Sequence, residues 1–122
     1  MLKQLNQSTS ESVPEWLASP QFHDFVSLAL HRAVAHRLRS NPRLIQKAKS
    51  NLKNWLSGNR AISAWLEWRE ILETSSIEKV LKIITAETEE GQRLRSSSPF
   101  VGLITAEERR QIIKECEKAR PV

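Results

Sequence analysis

The stretch SPQFHDFVSLALHRAVAHRLRSNP, residues 19–42, decides the fold. Ser19 before Pro20 is a helix start. The serine oxygen can accept an orphan N–H, and proline at the first helical position has no N–H to leave unmet. From Phe22 to Leu38 the apolar residues follow no two-residue alternation. At about 100° per residue they cover most of a helical circumference. A helix that is apolar nearly all round is buried among others. Asn41-Pro42 ends it and starts the next by the same cap logic.

The rest of the chain reads as helices able to cover that central one. Over residues 42–57, Leu44, Ala48, Leu52 and Trp55 recur at helical spacing, with Ile45 and Leu56 beside them. They form an apolar sector about 120° wide. Gly58 is the natural stop. A third helix follows Asn59 and ends near Glu73, with Ile62, Trp65, Leu66, Trp68 and Leu72 on one face. Arg69 falls near the centre of that face, where it needs a carboxylate or carbonyl partner. A capping box, Ser75-x-x-Glu78, opens a fourth helix carrying Ile77, Val80, Leu81 and Ile84. A short polar helix over residues 86–95 precedes a loop at 96–104. A second box, Thr105-x-x-Glu108, opens the last helix, with Ile112, Ile113 and Cys116 on its apolar side. The expected fold is all-α: a compact bundle of five or six helices over residues 20–122. Residues 1–19 form a polar, mobile arm, pinned by Trp16 and Leu17.

Composition agrees. A chain of 122 residues is one domain's length. It can bury about two-thirds of its unfolded surface. Only 3 glycines disfavour a turn-dense β architecture and a glycine-rich phosphate loop. One cysteine excludes an internal disulfide and a cysteine-rich zinc site. No run is long and apolar enough for a membrane span, and MLKQLNQSTSESV has no apolar leader core, so a cytoplasmic setting without a membrane partner is expected.

The net charge of +5 conceals its layout. Residues 25–66 contain eight Lys and Arg and no Asp or Glu, whereas residues 67–90 sum to −4. An acid-free block of that length can attract nucleic acid or an acidic protein, or it can fold against the acidic block and be neutralised. If nucleic acid is the ligand, the contacts come from Arg37, Arg39, Arg43, Lys47, Lys49 and Lys53 on the basic helices of residues 32–60.

Catalytic patterns are not found. His31 and His36 stand about 140° apart around a helix and share no face. No HExxH, Walker A, GxGxxG or GxSxG pattern occurs. Glu67, Glu70 and Glu73, and later Glu87, Glu89 and Glu90, read as solvated faces and first-turn charges. Cys116 reads as a packed thiol. No metal, cofactor or catalytic residue is expected.

The least generic stretch is RLRSSSPFVGLITAEERR, residues 93–110. Arg93, Arg95, Arg109 and Arg110 flank a loop containing Ser97, Ser98, Pro99 and Phe100. Four guanidiniums near serine hydroxyls can hold a phosphate or carboxylate. Alternatively the serines cap helix ends, Phe100 plugs the core and Gly102 supplies a turn.

These residues also carry a resemblance. Leu30-His-Arg-Ala-Val-Ala-His-Arg-Leu38, Asn41-Pro42, Ala48 to Trp55, Glu67-Trp68, the loop from Arg93 to Gly102 and Thr105-Ala-Glu-Glu-Arg109 resemble a group of short helical bacterial proteins common in cyanobacteria and actinobacteria. The likeness spans about residues 28–113, and its marker is the SSPF-x-G loop. The group is associated with the partners of neighbouring toxin genes. The resemblance therefore implies a non-enzymatic, antitoxin-like module that binds and neutralises a protein partner encoded nearby. It brings no functional residue with it. A DNA- or RNA-binding regulator using the basic helices is the alternative expectation.

Overall fold

The central helix is present as α1, Pro20–Ser40, in a computed structural model that describes residues 15–58 and 62–119. A 3-10 turn, Glu15–Ala18, precedes it and another, Pro42–Leu44, follows. Then come α2 (Ile45–Leu56), α3 (Ser63–Thr74), α4 (Ile77–Thr85), α5 (Glu89–Arg95) and α6 (Ala106–Lys118). No strand forms among the described residues, and the molecule is an all-α helical bundle. Of the mobile arm expected over residues 1–19, residues 1–14 lie outside the described residues, as do residues 59–61. The end of that arm is held: Trp16 stacks edge-on against Phe22 and Phe25 and donates its indole N–H to the Ala119 carbonyl at 2.9 Å.

Helix ends follow local chemistry. Ser19 caps α1 by accepting from the Phe22 N–H at 3.1 Å. Thr105 and Glu108 exchange both bonds of a capping box at the start of α6, at 3.0 and 2.8 Å. The box expected at Ser75 does not form. Ser76 is the cap of α4 and accepts from Lys79 N–H, so the residue at the reciprocal position is a lysine with no oxygen to return the bond. The short polar helix begins at Glu89 because Thr88 caps it through Gly91 N–H at 3.0 Å. Pro42 starts a 3-10 turn first, and α2 begins at Ile45. Gly58 does not take a left-handed conformation; α2 ends at Leu56 instead, with the Ser57 hydroxyl donating to the Asn54 carbonyl.

α1 packs on α4, α5 and α6, while α2 and α3 pair with each other. Val34, Ala35 and Leu38 of α1 share one core with Leu52, Trp68 and Ile84. Trp68 is fully buried and donates its indole N–H to the Leu94 carbonyl at 2.8 Å, so its one polar atom is satisfied inside the core. Cys116 is buried, as its face predicted, and burial pushes its thiol pKa up.

Arg69 corrects the sequence reading. It is exposed, and no ion pair reaches it among the described residues. The expected face counted Leu66, which is exposed. The buried line of α3 runs through Trp68 and Leu72, with Trp65 half-buried beside it. That shift carries Arg69 off the core.

Candidate functional site

A groove of about 880 Å³ runs beside α1. Val26, Leu30 and Val34 form its α1 wall. Phe100 and Ile104 come from the loop, Ile113 from α6, and Trp55 and Trp65 from the α2–α3 pair. The two tryptophans lie 5.3 Å apart, centre to centre. Among the described residues no Asp or Glu lines the groove, whereas Arg95, Arg109 and His23 do.

The loop has a simple physical construction. Phe100 is buried edge-on against Trp68 at 5.6 Å and against His31 at 6.5 Å. Gly102 has φ of +87°, the left-handed region that favours glycine. The chain can therefore turn Val101 outward, where it is 62% exposed, and return Leu103 to the core. Asn51 of α2 clamps this turn, its amide donating to the Pro99 and Val101 carbonyls at 2.9 Å each. Sequence reasoning missed Asn51. The available signal was a lone amide beside the apolar sector of α2.

The structure separates the expected anion-binding residues. Arg95, Ser97, Ser98, Phe100 and Arg109 line the groove together. Arg93 does not. It lies exposed on the other side of α5 and grips Glu67 with two bonds of 2.9 and 2.8 Å, and Glu90 with two more. Its hydrogen bonds hold the Glu67 and Glu90 carboxyls below their usual pKa range. Arg110 is exposed away from the groove wall, and Pro99 is buried beneath the loop. The serines have local duties: Ser97 Oγ donates weakly to the Leu94 carbonyl at 3.4 Å, and Ser98 Oγ accepts from Phe100 N–H at 3.2 Å.

His31 closes the floor of the groove. Its Nδ1 lies 2.7 Å from the Ser27 carbonyl, an oxygen that only accepts, so Nδ1 carries the proton. Burial pulls its imidazole pKa below 6.5, against the opposing Ser27 bond.

The basic helices divide as well. Arg37 is a structural clamp, paired with Glu108 and bonded to the Leu103 carbonyl at 3.3 Å. Hydrogen bonding from the Thr105 backbone, more than Arg37, holds the Glu108 carboxyl below its usual range. Arg39, Arg43, Lys47 and Lys53 are exposed and Lys49 is half-buried; none enters an ion pair among the described residues. Lys47 packs beside Gly102, and Lys49 and Lys53 border a second depression with Arg69 and Glu73. Only Arg32, paired with Glu87 at 3.1 Å, ties the basic block to the acidic one among those residues. Among the described residues direct ion pairing thus leaves most of the basic block unmatched.

Among the described residues no three His, Cys, Asp or Glu side chains cluster closely enough to hold a metal. No described helix is long and apolar enough to cross a membrane. Comparison of the chain with protein-family models, with curated proteins and with solved structures finds no match.

Proposed function

We propose that this chain is a non-catalytic protein-binding module, of the antitoxin-like kind that its sequence resemblance implies, seating a segment of a partner protein along α1. The observation that carries the reading is the groove wall: apolar and aromatic, with exposed Val101 at its edge and no carboxylate among the described residues. Aromatic side chains supply large contact area at low entropic cost. Charge selects the occupant. With Arg95, Arg109 and His23 on the wall, an apolar segment bearing negative charge is favoured over a basic one. Ser97, Ser98 and His31 are engaged with nearby backbone, which suits a binding wall better than a reactive centre.

The test is a pull-down with the tagged chain from nuclease-treated extract of its source organism, alongside Val101→Glu and a triple Arg43→Gln, Lys47→Gln, Lys53→Gln variant. The expected result is one protein, encoded by a neighbouring gene, captured by the wild type and the triple variant and lost with Val101→Glu. Equal capture by Val101→Glu would overturn the reading.

A second reading, a nucleic-acid-binding regulator, draws on Arg39, Arg43, Lys47, Lys49 and Lys53, which form no ion pair among the described residues. It requires duplex or RNA affinity that falls steeply with salt and weakens in the triple variant. Affinity flat between low and moderate salt would end it.

A further inference from the structure

Arg95 closes α5 with only 6% of its surface exposed. A guanidinium offers five N–H donors in a rigid plane. Nη1 serves the end of α4, donating to the Ala86 carbonyl at 2.7 Å and the Ile84 carbonyl at 3.4 Å. That accounts for one corner of the plane. Nε is fully buried without a hydrogen-bond partner, and Nη2 makes no hydrogen bond among the described residues. Nε and Nη2 form one edge, and that edge accepts a carboxylate through two parallel bonds. Among the described residues no carboxylate stands within ion-pairing distance of it. Asp24 and Glu87 act on Arg95 only at longer range, and burial pulls its pKa below the arginine norm. A buried cation left unpaired is costly, so an unfilled edge of this kind is unusual in a finished core.

The surroundings indicate the side from which an anion enters. Arg95 also borders a shallow depression that contains Asp24, Glu87 and Glu89. An anion approaching there meets three carboxylates. The groove wall holds none among the described residues. On that wall Ser98 uses its oxygen to accept from Phe100 N–H, which leaves its own proton to donate.

We propose that Arg95 is the groove's anchor for one carboxylate: an acidic side chain of the partner's apolar segment, received by Nη2, with the sealed Nε–H adding a second, parallel bond once the contacts that cover it shift, and Ser98 as an added donor. This inference rests on the binding-module reading above.

The experiment uses the full chain, isotopically labelled, titrated with 4-phenylbutyrate and with its neutral amide, 4-phenylbutyramide. Nuclear magnetic resonance follows the Arg95 Nε–H and the indole N–H signals of Trp55 and Trp65. The expected result is that both compounds move the tryptophan signals and only the carboxylate moves Arg95. The carboxylate should bind about tenfold more tightly, the value of one charged hydrogen-bonded contact. Arg95→Gln should erase that preference, and Arg93→Gln should keep it. Arg95→Lys, which retains charge without the planar edge, should fall between. If Arg95→Gln does not fold, the two compounds on the wild-type chain decide the matter. Equal affinity with an unmoved Arg95 signal overturns the anchor and leaves the groove reading standing. Tryptophan signals unmoved by either compound overturn both.

Discussion

The two faces of α5 each carry an arginine, and the two are treated in opposite ways. On the outer face Arg93 is solvated and spends its donors on Glu67 and Glu90. On the inner face Gly91, Leu94 and Arg95 are buried, and the Arg95 guanidinium keeps an unfilled edge. Two residues of separation rotate a side chain by about 200°. That rotation is enough to convert a surface ion pair into a buried cation. The lesson is that local charge density says little about which cation awaits a ligand. Arg93 has its acids within hydrogen-bond reach and is the less available of the two.

The comparison can be broken most severely from beneath the inner face. Trp68 supports α5 through the Leu94 carbonyl and packs on Phe100. Trp68→Ala is expected to cost about 3–5 kcal/mol, measured by urea unfolding. A loss below about 1 kcal/mol would mean that the inner face does not rest on this core. Gly91→Ala comes next. A Cβ there would stand 2.4 Å from the Ala86 carbonyl oxygen, a backbone atom that cannot swing aside. The expected cost is about 1–3 kcal/mol, read from the same transition.

The floor of the groove supplies a pH test. His31 has a folded-state pKa below its ordinary 6.5. The unfolded chain therefore takes up the proton first, and stability should be full above pH 6.5 and fall as pH drops below it. Unfolding midpoints measured between neutral and mildly acidic pH should show this slope in the wild type and a flatter one in His31→Gln. Equal slopes would assign the effect to other groups.

The arginines themselves sharpen the comparison. Arg95→Met removes a desolvated cation but frees the Ile84 and Ala86 carbonyls, two effects of opposite sign. Stability is expected to stay within about 1 kcal/mol of wild type. A large loss would make Arg95 chiefly a cap for α4. Arg93→Gln should have the smallest effect. Its ion pairs are exposed and screened, so any fall in melting temperature should be small and vanish with added salt.

Much of the fold was legible because helix signals are local. Ser19-Pro20 and the Thr105–Glu108 box announce their helices within four residues. Apolar periodicity placed Cys116 inside, and Trp16 holds the described end of the polar arm as its composition suggested. Where two adjacent serines competed for one cap, sequence favoured Ser75 for its downstream Glu78, yet Ser76 holds the position. Arg69 was misplaced for a related reason: a helical wheel weights every apolar residue alike, and exposed Leu66 pulled the expected face around. The candidate site was legible only as a segment. Residues 93–110 were marked out by their arginines and serines, but not which of them share a wall.

The sequence alone determined the helical class, the starts of α1 and α6 and the segregation of charge. Each depends on residues within a few positions of one another, where backbone geometry is nearly constant. Only the tertiary structure decided that Arg95 faces the groove while Arg93 meets Glu67, that Asn51 clamps the loop, and that Trp55 and Trp65 meet. Those outcomes depend on how helices remote in the chain pack together. Packing is settled by the joint fit of all the side chains, so no local stretch encodes it.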